Sequence, residues 1–228
     1  MTIGSILQRL RSSFGASAGT IVFGMEDGTV SIFGLIFGVA ATTDDVKTVL
    51  IAGATGAVAA AVSMMAGAYL DIETMRDAAK AARASLQADG SAAALSGRLA
   101  QAGLTSAQSD ALAAAVQRDP NAAGGLLHVL QGAPQMPLNP LEQALWMLFA
   151  DFLAAAVPIL PFVFLPMFQA RMVSGAVTLA LLVGLGIGRS RIAKRGMIRT
   201  VVETVLIGLA AAMAGIAIGV LINRLFAP

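Results

Sequence analysis

The sequence predicts an all-α membrane protein with five transmembrane helices and a small cytosolic helical insert between spans 2 and 3. Charged residues make up only 12% of the 228 residues and hydrophobic residues 57%, whereas a soluble domain carries roughly 25% charged residues. That leaves too little polar surface to cover a globule in water. Five apolar stretches are also each long enough to cross a bilayer, which takes about 20 helical residues. No strand-like alternation competes with these stretches.

The composition excludes several kinds of site and partner. The chain has no Cys and one His, which excludes disulfides, thiol catalysis and His-rich metal sites. The sequence contains no nucleophile–base set, phosphate-binding loop or metal-hydrolase spacing, so we expect no enzyme and no cofactor. The net charge is only +2, which gives no reason to expect a nucleic-acid partner.

The lengths of the apolar runs place the five spans in order at about 21–41, 48–70, 143–165, 168–188 and 199–222. The first span contains Glu26 and Asp27, and the second contains no charge. The third contains Asp151, the fourth has Arg171 at its start, and the fifth carries Glu203 in its first turn. The first run is too long for a cleavable signal peptide, and a second run follows at once.

Residues 71–140 form the insert, which separates the membrane segments 1–70 and 141–228. The insert carries six of the thirteen acids. Its helical pieces are predicted over 71–88, 92–102, 105–117 and 121–131. Thr105 and Asp119 are typical N-cap residues, and Pro120 suits the first helical position after Asp119. We therefore expect a small, Ala-rich helical domain.

The distribution of Lys and Arg predicts the orientation, because cytoplasmic loops carry an excess of these residues. With five spans, one side of the membrane takes twelve of the fifteen bases: Arg9, Arg11, Arg76, Lys80, Arg83, Arg98, Arg118, Arg189, Arg191, Lys194, Arg195 and Arg199. The other side takes Lys47, Arg171 and Arg224. The N-terminus and the insert are therefore predicted to be cytoplasmic and the C-terminus to be outside. The cluster from Arg189 to Arg199 is read as a topology signal, with contact to anionic lipid as the alternative.

Polar and sulfur-bearing side chains recur at one depth in the inner half of the bilayer. Counted from the cytoplasmic end at about 1.5 Å per residue, Asp27 and Met64 lie roughly 9 Å deep and Asp151 roughly 12 Å deep. Met147 shares a helix face with Asp151 because the two are four residues apart. An acid in hydrocarbon costs about 2.5–3.5 kcal/mol, and such residues usually mark an ion pathway. The layer is therefore a candidate cation site.

The residue types in this layer suit particular metals. Carboxylate oxygen together with thioether sulfur fits borderline ions such as Fe²⁺ or Mn²⁺ better than Mg²⁺. Glu26 and Met65 are further candidate ligands, although Glu26 points about 100° away from Asp27 on the helix. The alternatives are that the acids pair with polar neighbours and that the methionines fill the core. For Glu203 the simpler interpretation is an ion pair with Arg199, four residues earlier.

Small residues in the first span predict close helix packing. Gly24–Gly28 and Gly34–Gly38 both have the small-xxx-small spacing that lets two helices approach. Each pair fits a helix–helix seam, within one chain or between two copies. Gly28 also allows a local kink next to Asp27.

Four stretches resemble the vacuolar iron transporter family, whose members move iron and manganese. Residues 23–40 (FGMEDGTVSIFGLIFGVA) resemble its first span, including the Asp27–Gly28 pair and Ser31. Residues 62–70 (VSMMAGAYL) resemble the second span. Residues 103–122 (GLTSAQSDALAAAVQRDPNA) resemble the helical insert, and residues 203–219 (ETVLIGLAAAMAGIAIG) the last span. The similarity covers almost the whole chain in the family's order.

The resemblance implies a homodimer that exports Fe²⁺ or Mn²⁺ from the cytosol in exchange for protons. It implies that Asp27 and Met64 line the translocation path near the dimer axis. For a bacterial-type member the expected location is the inner membrane, with the metal ion, protons and membrane lipid as partners.

The insert departs from the family pattern because it is poor in acids. The first insert helix has only Asp71, Glu73 and Asp77, which we regard as a possible metal entry, and Leu126 and Leu127 stand where methionines occur in relatives. We therefore expect no metal storage there, and His128 is interpreted as a surface or core residue. Two alternatives follow: a transporter of the same fold with a non-iron substrate, and a non-transporting membrane scaffold that binds a partner.

Overall fold

The computed structural model describes residues 13–15, 17–88, 92–101, 103–118 and 139–226. Within these ranges the chain is helical and contains no strand, which confirms the predicted all-α class. The helices are α1 (Ala18–Ala40), α2 (Val46–Ala88), α3 (Ala92–Gln101), α4 (Ser106–Arg118), α5 (Pro140–Phe164), α6 (Met167–Ala193) and α7 (Met197–Phe226).

The predicted spans are confirmed as helices long and apolar enough to cross a membrane. They are α1, the part Val46–Ala78 of α2, α5, α6 and α7. Their bounds differ from the expected ones by a few residues. The chain divides into two compact units, one formed by Met1–Leu70 with Leu138–Pro228 and the other by Asp71–Pro137.

The smaller unit contains the end of α2 together with α3 and α4, and Leu99 of α3 and Ala113 of α4 are both buried. Thr105 precedes α4, and its backbone N–H and its hydroxyl both donate to Oε1 of Gln108, at 3.1 and 2.9 Å. This is one half of a capping box, so the predicted N-cap is confirmed. The caps predicted at Asp119 and Pro120 and the helix predicted over 121–131 lie outside the described residues.

The larger unit is organised around α1, which packs against α5, α6 and α7. The α1–α5 seam is parallel and regular: Gly24 faces Met147 and Gly28 faces Asp151. One turn earlier the same register continues, because Nε2 of Gln143 donates to the hydroxyl of Thr20 at 3.1 Å. The two helices therefore meet every four residues along one face of each.

The α1–α7 seam is also parallel and is built from glycines. A Cβ on Gly34 would lie 2.9 Å from the carbonyl oxygen of Ala211, and a Cβ on Gly38 would lie 2.7 Å from that of Gly215. Gly219 lies one turn further along and would meet Gly38 in the same way. Both small-xxx-small pairs of the first span are thus used between helices of one chain, as expected for close membrane-helix packing.

The apolar core lies beside these seams, at the ends of the helices away from Asp151. It includes Ile32, Ile36, Val49 and Phe162, all at most 2% exposed. At the same end, Arg171 of α6 donates to the carbonyl oxygens of Ala40 and Thr43 and pairs with Asp44 at 3.0 Å. Arg171 therefore connects the α1–α2 turn to the start of α6. It also donates a hydrogen bond to the carbonyl of Ala40, the last residue of α1, where helix carbonyls lack partners within the helix.

Asp45 begins α2 by capping its first turn. Its carboxylate accepts from the hydroxyl of Thr48 at 2.6 Å and from the backbone N–H groups of Thr48 and Lys47 at 3.1 and 3.2 Å. These donors, the Thr48 hydroxyl first among them, hold the pKa of Asp45 below its ordinary value. The sequence Asp-x-x-Thr thus fixes where the second span starts.

Candidate functional site

Asp151 is a fully buried acid in the middle of α5. The residue is 0% exposed, and among the described residues neither of its carboxylate oxygens has a hydrogen-bond partner. Buried polar groups are nearly always hydrogen-bonded, and each exception in a folded protein needs an explanation. The absence of a donor within reach leaves both oxygens available for a proton or a cation.

Gly28 of α1 provides the space that Asp151 occupies. A Cβ at position 28 would lie 2.5 Å from the backbone carbonyl oxygen of Asp151 and 2.7 Å from its Oδ1. No side chain fits there without moving backbone atoms. Helix α1 continues through Gly28, and this residue permits a close approach between the two helices.

Asp27 lies next to Gly28 and is half-buried. Since Gly28 packs directly against Asp151, the two acids occupy neighbouring positions of the α1–α5 seam. The fold therefore brings together two acids from different helices that are 124 positions apart in the sequence. The predicted layer thus contains a carboxylate pair from α1 and α5.

Met147 adds a sulfur atom to the same seam. It is 6% exposed, and a Cβ on Gly24 would lie 2.6 Å from its Sδ. Since Met147 precedes Asp151 by four residues, the thioether and the carboxylate lie one turn apart on one face of α5. The predicted shared face is confirmed, and both side chains are directed toward glycines of α1.

Met64 and Met65 are half-buried on α2. The antiparallel register of α2 on α1 is given by two contacts, since a Cβ on Gly53 would lie 3.1 Å from Ile36 and one on Gly56 would lie 3.3 Å from Ile32. Extended along both helices, this register brings Met64 to the level of Gly24 and Met25. That is roughly 3–5 Å from the level of Asp27 along the helix axis.

Glu26 lies on a different side of α1 and has its own partners. Nη1 of Arg189 on α6 donates to both of its carboxylate oxygens, at 2.9 and 3.1 Å, and the hydroxyl of Thr204 on α7 donates at 3.1 Å. The Glu26 side chain is 10% exposed and that of Arg189 42%. The structure therefore places this candidate ligand in an ion pair that joins three helices.

The pairing of Glu26 with Arg189 was missed at the level of the sequence. The two residues are 163 positions apart, and the sequence indicated for Arg189 a role in setting the orientation, with contact to anionic lipid as the alternative. The available signal was their depth, because both lie near the same end of their spans. The predicted pair of Arg199 and Glu203 is confirmed, with Nε donating to Oε1 at 2.8 Å.

The three acids proposed as a metal entry lie in the smaller unit, where Asp71, Glu73 and Asp77 are exposed. Asp77 pairs with Lys80 at 3.0 Å. Among the described residues, no group of three or more His, Cys, Asp or Glu side chains is arranged to hold a metal ion. A metal site among the described residues would therefore have to combine fewer carboxylates with other donors.

Comparison with known proteins adds one finding. The model of a family described as the VIT family matches residues 18–220. The matched stretch contains α1 and α5 entire and therefore both carboxyl groups of the seam. No curated protein matches the chain.

Proposed function

The chain belongs to the VIT family, a family of membrane metal-ion transporters, and on this premise we propose that it exports Fe²⁺ or Mn²⁺ from the cytosol in exchange for protons. The single observation that supports this best is the fully buried Asp151, which has no hydrogen-bond partner among the described residues and packs against Gly28, directly after Asp27.

Asp151 needs a positive partner when it is charged. An ionised carboxylate without hydrogen bonds is costly inside a protein in a membrane. A divalent cation held between Asp151 and Asp27 removes that cost, because it neutralises both charges at once. Without the cation, protons on the carboxyl groups achieve the same result.

The two acids differ in access. Asp27 is half-buried and Asp151 is fully buried. Asp27 therefore receives the ion first, and Asp151 is the second carboxylate that draws it into the seam. The thioethers of Met147 and Met64 supply soft donors at neighbouring levels, which favours Fe²⁺ or Mn²⁺ over Mg²⁺.

The same pair accounts for proton exchange. Carboxyl ligands must lose their protons to bind a metal, so metal binding releases protons and metal release takes them up. Two protons returning for each divalent ion leave the net charge in the membrane unchanged. Glu26 has no part in this cycle, because Arg189 and Thr204 already satisfy its charge.

We propose a homodimer as the working unit, following the resemblance of the first two spans to the family. In the most apolar 18 residues of α2 and of α7, only 22% and 11% of the residues are buried. These helices therefore have apolar surface available for lipid and for a second copy. This assignment places Asp27 and Met64 near the contact between the two copies.

A second candidate is a transporter of the same fold that carries a different divalent cation. It is favoured by the smaller unit, where the described acids Asp71, Glu73 and Asp77 form no metal-binding group. On this candidate, the choice of ion depends on the donors of the seam.

Flux in proteoliposomes tests both candidates. Purified protein is reconstituted, the vesicle interior is made acidic, and uptake of Fe²⁺, Mn²⁺, Co²⁺ and Zn²⁺ is followed. We expect uptake of Fe²⁺ or Mn²⁺ that requires the pH gradient. Uptake of Co²⁺ or Zn²⁺ alone selects the second candidate, and no uptake of any of the four ions contradicts both.

A further inference from the structure

A groove of about 90 Å³ lies between α1 and α6, near the end of the helices that the distribution of bases predicts to be cytoplasmic. It is lined by Gly19, Val22, Phe23, Ile192 and, at its base, the Glu26–Arg189 ion pair. The groove is open on its outer side, because Phe23 is 57% and Ile192 48% exposed. In a membrane these walls face lipid and not water.

A cluster of bases directly follows the groove along the chain. Ile192 is the last named wall residue, and Lys194 and Arg195 come two and three positions later. Lys194 has a left-handed conformation with φ 50°, and the N–H of Arg195 donates to the carbonyl of Ser190 at 3.1 Å. This cap ends α6 sharply and keeps both bases at the helix end.

The charge of this cluster is not balanced by nearby acids in the sequence. Arg191, Lys194 and Arg195 are exposed, and no acid occurs between Arg189 and Glu203. Glu203 is paired with Arg199, and Glu26 with Arg189. Among the described residues, these two acids form the ion pairs of the five bases in the segment 189–199, and Glu203 also interacts with Arg195 at longer range. A net positive charge therefore remains at the membrane surface beside an apolar groove, which is the arrangement that attracts anionic lipid head groups.

We propose that the groove holds an acyl chain of one anionic phospholipid, whose phosphate is bound by Arg191, Lys194 and Arg195. The groove accounts for the apolar part of the ligand and the cluster for its charge. The Glu26–Arg189 pair closes the inner end, so the lipid does not reach the Asp27–Asp151 seam. This inference is independent of which ion the protein transports.

Gly19 offers a direct test of the groove. A Cβ at position 19 would meet no atom of the described residues within 4 Å, and Gly19 lines the groove, so Gly19→Leu places a bulky side chain there. Gly184 on α6 is exposed and equally open, so Gly184→Leu is the matched control. A second variant, R191Q/K194Q/R195Q, removes the charge, and K47Q/R224Q removes exposed charge at the opposite end.

The readout is native mass spectrometry of the full chain incubated with phosphatidylglycerol or phosphatidylcholine. We expect the wild-type chain to retain one phosphatidylglycerol and little phosphatidylcholine. In Gly19→Leu and in the triple variant we expect the bound phosphatidylglycerol to fall at least fivefold, which is the threshold for the test. Thermal unfolding of each variant in detergent checks that it is folded.

Three results would overturn the proposal. The first is equal retention of phosphatidylglycerol by Gly19→Leu and by wild type. The second is equal retention of the two lipids by wild type, which indicates contact with any bilayer lipid. The third is displacement of the lipid by millimolar inorganic phosphate, which indicates a site for the phosphate group alone. None of these results depends on metal flux, so this test and that of transport fail separately.

Discussion

Gly28 of α1 lies directly against Asp151 of α5, so that a Cβ on Gly28 would lie 2.7 Å from Oδ1 of the acid. The glycine beside the first acid thus makes room for the second one. The contact puts Asp27 and Asp151 at neighbouring positions of the seam, and neither oxygen of Asp151 has a hydrogen-bond partner in the described part of the chain. The proposed ion path therefore depends on the absence of a side chain at position 28.

The Gly28→Ala substitution is expected to destabilise the protein and to reduce flux. The added methyl group meets backbone and carboxylate atoms of Asp151, and overpacking of this kind costs about 1–3 kcal/mol. Thermal unfolding in detergent and metal uptake measure the two effects. Gly184→Ala is the control, because a Cβ there meets no atom within 4 Å. Equal stability of the two variants would contradict the close contact.

Asp151→Asn is expected to separate function from stability. The amide has nearly the same shape and removes a charge that has no hydrogen-bond partner, so the variant should unfold at the same temperature or higher. Flux should fall by about 10–100-fold, the loss typical when a group supporting a metal site is removed. Wild-type flux in a folded Asp151→Asn variant would remove Asp151 from the path.

The Glu26–Arg189 pair predicts an asymmetric response to substitution. Arg189→Gln leaves the nearly buried Glu26 without its cation, which costs about 3 kcal/mol. Glu26→Gln leaves Arg189, whose side chain is 42% exposed, partly solvated, and we expect a cost of about 1 kcal/mol. Unfolding in a denaturant series compares them. The reverse order of stabilities would show that Glu26 does not need Arg189.

Asp45 predicts a pH dependence at the start of α2. Since Thr48 lowers the pKa of Asp45, the cap contributes stability above the unfolded value of about 3.9 and loses it as pH falls through the lower folded value. Thr48→Val should raise the pKa of Asp45, so that this stability is lost at a higher pH. Unfolding temperatures measured across this range test it. Asp45→Asn keeps a capping acceptor and should remove this contribution to the pH dependence.

The sequence was sufficient for the helices and for contacts within one helix. The 20-residue length rule located the spans, and helical spacing correctly put Met147 and Asp151 on one face and paired Arg199 with Glu203. These inferences need only local geometry.

The helix partners needed the structure. The spacing of Gly34 and Gly38 predicted a seam but did not identify Gly215 and Gly219 as its other side, although these two have the same spacing. The sequence indicated Glu26 as a candidate ligand but did not indicate its ion pair with Arg189, which is 163 positions away. Which spans touch depends on packing across the whole unit, and one sequence does not encode that in a local pattern.

The central claim is that Asp27 carries the metal ion, and the most direct measurement is Fe²⁺ and Mn²⁺ uptake by proteoliposomes containing Asp27→Asn. Asp110→Asn is the matched control, because Asp110 is an exposed acid on α4. With equal amounts of folded protein and an acidic vesicle interior, we expect Asp110→Asn to transport like wild type and Asp27→Asn to lose uptake of both ions. Wild-type uptake by Asp27→Asn would contradict the account.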